Sequence, residues 1–323
     1  MKSKLLTLFL CLQTTAVLAQ VDFEIDGINT ILNFNQHSDY LVVLVHGSGK
    51  QDMEGSFSVY ENSECEYKRY RGFHFKIFND LVKGLFDEGF STLRYDKINI
   101  RNLSKENYVI QVFVTDLKEV LLEIKRHEKL KSKKIILFGW SEGVTVALSQ
   151  LKFDTILHGI IGYGGVFTDP ILMKSEVYFR HIMNCEGNEE KAQSFKTQII
   201  EQASKENADA SETNNEKIIL SETLYDENGK NAIGERNIVL HVTRSYFQDF
   251  RRKVIETKSL LAETKIPVLL IHGQTDVNVP FENHIELTKT IKNKYVELAS
   301  LEDTDHYIRK NFDKSMKTRL FQL

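Results

Sequence analysis

A chain of 323 residues, 41% of them hydrophobic, is long enough to bury one large core, and α/β folds of this length commonly run as a single domain. Its 42 basic and 45 acidic residues leave a net charge of -3, which gives no electrostatic footprint for nucleic acid. With 3 prolines, no long biased stretch and no internal repeat, disordered linkers and repeat architectures are excluded as well.

The first segment is read apart from the fold. Met1-Lys2-Ser3-Lys4 is a short basic start, residues 5–18 are mostly apolar, and Val17-Leu18-Ala19 offers a small-residue cleavage pattern before Gln20. An apolar run of about 14 residues falls short of the roughly 20 that a spanning helix needs. The reading is a signal peptide over 1–19 that is removed, with a permanent N-terminal anchor as the alternative. The mature chain, 20–323, is expected to be exported, periplasmic or secreted. Cys11 lies too deep in the apolar run for lipid attachment. Cys65 and Cys185 remain, either bridged in an oxidising compartment or unpaired, and no His/Cys spacing resembles a zinc site.

Two short strands near 21–25 and 30–34 are expected to form an antiparallel edge hairpin. A buried strand follows over 41–45. Next comes a helix on which Phe75, Phe78, Leu81, Val82, Leu85 and Phe86 share a face, with Gly89 as its stop. A strand over 90–95 precedes a second helix over 112–130, apolar at Leu117, Val120, Leu121 and Ile124. Further strands are expected at 135–138 and 160–161 and, after a long interruption, at 268–271 and 295–298. The main runs are continuously apolar, as strands covered on both faces require. The fold class is therefore α/β, with a mostly parallel central sheet flanked by helices. The interruption, about 167–258, is charged, poor in strand character and polar over 201–216. It reads as a helical cap over the C-terminal edge of the sheet, or as a solvated helical insertion with no substrate role.

The chemistry concentrates at strand ends. Gly139-Trp140-Ser141-Glu142-Gly143 stands between an apolar strand and the apolar helical run Val144-Thr145-Val146-Ala147-Leu148. A Ser in such a G-x-S-x-G turn is pushed above the sheet edge, and flanking glycines admit neighbouring backbone. The N–H of Glu142 then faces charge developing on a substrate oxygen. Leu41-Val42-Val43-Leu44-Val45-His46-Gly47-Ser48-Gly49 runs from a strand into a Gly-rich loop, where the N–H of Ser48 is the second candidate donor. His46 is read as bracing that loop, not as a base. Asp276 ends the turn after a buried strand, and His306 follows the last strand, giving the chain order Ser, acid, His. Asp303 and Asp305, beside His306, are rival acids, and His272 is read as buried and structural.

These motifs carry a resemblance. Together with Leu93-Arg94-Tyr95-Asp96-Lys97, Ile266-Pro267-Val268 and Ser245-Tyr246-Phe247-Gln248-Asp249-Phe250, they make the mature chain resemble the α/β-hydrolase superfamily, above all its carboxylesterase-like and prolyl-oligopeptidase-like branches. The resemblance implies a triad of Ser141, Asp276 and His306, oxyanion donors at Ser48 and Glu142, and a bracing loop at Arg94 and Asp96. Two departures lie at the mouth of the site. Ile98-Asn99-Ile100-Arg101 replaces a Gly-rich turn, and Lys50-Gln51-Asp52-Met53 replaces a Pro followed by an acidic-basic pair.

The expected function is that of a serine hydrolase cleaving carboxylic esters through an acyl-enzyme on Ser141. The alternatives are a serine peptidase or acyl-peptide hydrolase with the same machinery, and a non-catalytic binding module on the same fold. No metal or organic cofactor is implied. The expected partner is a small-molecule or acyl-ester substrate, with neither nucleic acid nor a membrane span. Trp140, Phe167, Tyr246 and Phe250 are aromatics near the site or cap from which no specificity is read.

Overall fold

In the computed structural model the described residues are 20–21, 25, 28–48, 51–58, 74–97, 108–153, 157–205, 217–225 and 232–309. The signal-peptide reading over 1–19, Cys65, Gly49 and the departure at 98–101 lie outside them.

The elements alternate as the apolar runs suggest. The chain forms β1 (Gln20–Val21), β2 (Thr30–Asn33), β3 (Tyr40–Val45), β4 (Ser56–Ser58), β5 (His74–Lys76), α1 (Ile77–Asp87) and β6 (Ser91–Tyr95). It continues with α2 (Ile110–Arg126), β7 (Lys134–Trp140), α3 (Glu142–Leu148), β8 (Leu157–Tyr163), α4 (Pro170–Glu186) and α5 (Glu189–Ser204). Last come β9 (Lys217–Tyr225), β10 (Ala232–Thr243), α6 (Arg244–Glu263), β11 (Val268–Gly273), α7 (Glu282–Thr290) and β12 (Val296–Leu301). Eight strands make one sheet in the order β1-β2-β6-β3-β7-β8-β11-β12. From β6 to β12 every pairing is parallel. The β1–β2 hairpin joins β6 antiparallel and forms that edge of the sheet.

The sheet is covered on both faces, and period-2 alternation sorts its side chains between two cores. Leu41, Val43 and Val45 of β3 join the apolar cluster that includes Phe113 and Leu117 of α2 and Val144 of α3. Val42 and Leu44 join Phe78, Val82 and Leu85 of α1. Each such side chain contributes about 1.5–3 kcal/mol relative to exposure, so a polar break in β3 would be costly on either face. Helix α1 ends as its sequence suggests, with Gly89 at φ +90 and its N–H on Phe86 O at 2.9 Å.

Strand β8 reads weakly in sequence because glycines interrupt it. A Cβ on Gly162 would lie 2.8 Å from both Leu270 and Val144 side-chain carbons, so the missing side chain is what lets α3 press onto the sheet. After β3 the chain crosses to β6 on one side, and after β7 it proceeds to β8 on the other. The carboxyl ends of β3 and β7 therefore bound a topological switch point, where open α/β sheets bind ligands.

The inserted segment departs from the all-helical expectation. Helices α4, α5 and α6 are present, but β9 and β10 pair antiparallel between them. Ile218 and Leu220 are buried whereas Ile219 is 38% exposed, so β9 does alternate. Polar Ser221, Glu222 and Thr223 shorten its apolar signature, while Asn228-Gly229 between the two runs is the hairpin signal in the sequence. Helix α5 covers the edge of β9. Gln198, through both amide atoms, bonds Ser221 N and O at 2.7 and 2.9 Å. Gln202, one turn on, does the same with Ile219 at 2.9 and 2.6 Å. Two side-chain amides thus satisfy backbone groups that an exposed edge would leave unpaired.

Candidate active site

Ser141 sits at the carboxyl end of β7 with φ 57 and ψ -123, a conformation that side chains rarely adopt. Its surroundings hold it there. Its N–H donates to Tyr163 O at 2.8 Å, and α3 starts at the next residue. A Cβ on Gly143 would lie 2.1 Å from Val45 O, and one on Gly139 would lie 2.5 Å from Gly143 O. Both spacings are below any real contact, so Gly143 lets the turn close on β3 and Gly139 lets the start of α3 close on the end of β7. Ser141 gives no side-chain cap bond to α3, which leaves its Oγ directed elsewhere.

That direction is His306. Ser141 Oγ lies 3.0 Å from His306 Nε2, and His306 Nδ1 lies 2.7 Å from Asp276 Oδ2. Asp276 is buried, and its Oδ1 accepts the N–H groups of Asn278 at 2.9 Å and Val279 at 2.8 Å. One carboxylate oxygen is thus engaged by backbone and the other faces the imidazole. A carboxylate only accepts, so the network puts the ring proton on Nδ1 and leaves Nε2 an acceptor for the Ser141 hydroxyl.

The rival acids lie elsewhere. Asp305 Oδ1 accepts the N–H groups of Tyr307 and Arg309 within its own turn, and Asp303 is exposed at φ 50. The loop after β3 closes the site from the other side. A Cβ on Gly47 would stand 3.1 Å from Ser141 Cβ and 3.0 Å from the Trp140 ring, which places the Gly47-Ser48 peptide against the elbow.

No family model matches the sequence, and no curated protein matches it either. Solved structures do. An esterase of Pyrococcus furiosus superposes with a TM-score of 0.54 and 16% identity, covering 95% of this chain and 90% of that one. Est1E from Butyrivibrio proteoclasticus gives 0.52 and 15%, covering 94% and 96%. Est1E with ferulic acid bound gives 0.52 and 14% over the same shares. The chain has the α/β-hydrolase fold.

Within this α/β-hydrolase fold, several side chains that sequence reasoning did not assign hold the site together. Trp140 Nε1 donates to His306 O at 2.8 Å, and Tyr163 OH donates to Asp305 O at 2.5 Å. The ends of β7 and β8 therefore anchor the backbone on which His306 rides. Gly164, at φ +63, brings its backbone beside the pair, and a Cβ there would lie 3.2 Å from His306 Nδ1 and 3.3 Å from Asp276 Oδ2. Lys97 follows Asp96 just past the end of β6 and has no role legible from its motif alone. Its Nζ lies 2.7 Å from Glu142 Oε1 and 2.9 Å from Gly47 O, with both side chains of the ion pair fully buried. Tyr246 of α6 donates its OH to the other Glu142 oxygen at 2.7 Å.

Arg94 and Asp96 brace the segment after the Gly-rich loop. Arg94 reaches both Glu54 oxygens at 2.6 Å and Asn33 Oδ1 at 3.1 Å, and Asp96 accepts from Met53 N and Asn29 Nδ2. His46 is buried with Nδ1 on Gly47 O. Burial, then the Lys97 cation, pushes its pKa well below the ordinary value and keeps the ring neutral. His272 is also buried, with Nε2 on Val279 O at 2.8 Å and 3.6 Å from Asp276 Oδ2, and burial lowers its pKa. Phe167, Tyr246 and Phe250 belong to the apolar core. Cys185 is disulfide-bonded. Among the described residues no group of three His, Cys, Asp or Glu is arranged to hold a metal ion, and no helix is long and apolar enough to cross a membrane.

Proposed function

We propose that the chain is a serine hydrolase that cleaves carboxylic esters through an acyl-enzyme on Ser141. The observation that carries this is the continuous hydrogen-bond chain from Ser141 Oγ through both His306 nitrogens to Asp276 Oδ2, at 3.0 and 2.7 Å. In the first step Oγ attacks the ester carbonyl while His306 Nε2 takes its proton. Asp276 keeps the imidazole in the Nδ1–H tautomer and stabilises the imidazolium. The carbonyl oxygen, now negative, accepts from the N–H groups of Ser48 and Glu142. His306 returns the proton to the departing alkoxide, leaving an acyl group on Ser141. Water, deprotonated by His306, then releases the acid and restores the hydroxyl. No cofactor enters either half.

The description of the P. furiosus protein as an esterase supports an ester over an amide. The test is turnover of nitrophenyl acyl esters of graded length and an alkyl ferulate, beside matched anilides. Ester hydrolysis that falls by about 10⁴-fold or more in Ser141→Ala is expected. A loss below tenfold, or amides cleaved faster than esters, would overturn the reading.

A further inference from the structure

We propose that Lys97 is a positioning residue that holds the two oxyanion donors in register, and that Tyr246 ties the inserted segment to them. This rests on the serine-hydrolase reading and extends it to residues outside the triad.

The ion pair of Lys97 and Glu142 stands in a costly place. The Lys97 and Glu142 side chains are 0% and 1% exposed, and such a pair is often no better for stability than apolar groups of the same volume. Its place is better explained by what it touches. Lys97 Nζ donates to Glu142 Oε1 and Gly47 O and lies 4.6 Å from the Phe113 ring centroid, so the ammonium is surrounded by partners. Glu142 uses its second oxygen for Tyr246 OH. Every atom of the pair is engaged, which is the condition for keeping charge inside.

Gly47 O belongs to the peptide whose N–H is that of Ser48. A trans peptide holds its carbonyl and N–H antiparallel in one plane. Fixing Gly47 O from one side therefore fixes the direction of the Ser48 N–H on the other. An ammonium on the carbonyl also polarises the amide, strengthening the N–H as a donor by about 10–30% in estimates for linked hydrogen bonds. Glu142 is the residue whose own N–H is the second donor. One buried cation thus links the loop after β3 to the elbow after β7. It also neutralises a carboxylate that would otherwise oppose negative charge building on the substrate oxygen. Tyr246 lies in the first turn of α6, where Thr243 Oγ1 accepts its N–H at 3.2 Å, so the same network reaches the end of the insertion.

The experiment compares wild type with Tyr246→Phe and with the double variant Lys97→Met/Glu142→Gln, which removes both charges together and strands neither. Steady-state ester hydrolysis is measured with inhibition by a trifluoromethyl ketone, whose adduct with Ser141 places an oxyanion in the hole, and by the matching methyl ketone. In the folded double variant kcat is expected to fall about 10- to 100-fold with KM nearly unchanged. The trifluoromethyl ketone should weaken by the same factor and the methyl ketone should not. Tyr246→Phe should shift the same quantities in the same direction by about three- to tenfold, and it decides the matter if the double variant does not fold. A folded double variant with wild-type kcat overturns the positioning role, as does equal weakening of both ketones, which a loosened pocket would give. Wild type that neither hydrolyses esters nor reacts with a fluorophosphonate overturns the hydrolase reading, and this inference falls with it.

Discussion

Replacing Ser141 by Gly and by Ala separates backbone strain from chemistry. At φ 57 and ψ -123 a residue with a Cβ is held in a sparsely populated region, at a cost of about 1–3 kcal/mol. These angles mirror an ordinary extended conformation near -57 and +123, which Gly adopts as readily as its image. Gly therefore relieves the strain and Ala keeps it. Against this, Gly gives the unfolded chain more freedom, worth about 0.4–1 kcal/mol. Both variants lose the Oγ–His306 bond, so that loss cancels between them. The difference leaves Ser141→Gly more stable than Ser141→Ala by about 0.5–2 kcal/mol, or a melting temperature higher by roughly 1–3 °C. Thermal unfolding followed by circular dichroism checks it. An alanine variant as stable as the glycine variant, or more so, would refute the claim that the elbow stores strain.

Asp276→Asn is expected to lower kcat by about 10⁴-fold, because an amide no longer enforces the Nδ1–H tautomer, whereas exposed Asp303→Asn should stay within about twofold. Comparable losses would return the choice of acid to the 303–305 turn. His284 is pushed down to about 4, first by burial and then by neighbouring His272. The folded state thus binds fewer protons than the unfolded one between that value and the ordinary 6.5. Stability is full above about pH 6.5 and falls as pH drops toward 4, by on the order of 3 kcal/mol from this group. Urea unfolding across that window should show a shallower acid decline in His284→Gln, and parallel curves would contradict the assignment. Full-length chain made in a host with a secretory pathway should appear outside the cytoplasm with Gln20 at its N-terminus by mass spectrometry. A retained 1–19 segment would favour the anchor reading instead.

Local patterns were the legible part. Continuous apolar runs mark β3, β6, β7 and β11 because both faces of the sheet are covered, and α1 and α2 announce themselves by one apolar face each. The elbow is legible because its demands are local: two glycines, two residues either side of Ser141, where backbone must approach backbone. Asp276 and His306 come forward from chain order and their places after strands. The hairpin of β9 and β10 was missed because its alternation is broken by polar residues, so composition outweighed the Asn228-Gly229 turn signal. Lys97, Tyr246, Trp140 and Tyr163 carry no local signature. Their partners are far away in sequence, 45 residues for Lys97 with Glu142, 104 for Tyr246 with Glu142, 166 for Trp140 with His306, and 142 for Tyr163 with Asp305. Only the fold brings such pairs together. Asp305, adjacent to His306 in sequence, turns its Oδ1 to its own loop, which adjacency alone did not reveal.

The most direct test of the central claim is covalent labelling of the purified protein with a fluorophosphonate, followed by peptide mapping. One modified residue, Ser141, is expected, with labelling lost in Ser141→Ala and slowed by orders of magnitude in His306→Ala. Folded wild type that stays unlabelled, or carries the label on another residue, would contradict it.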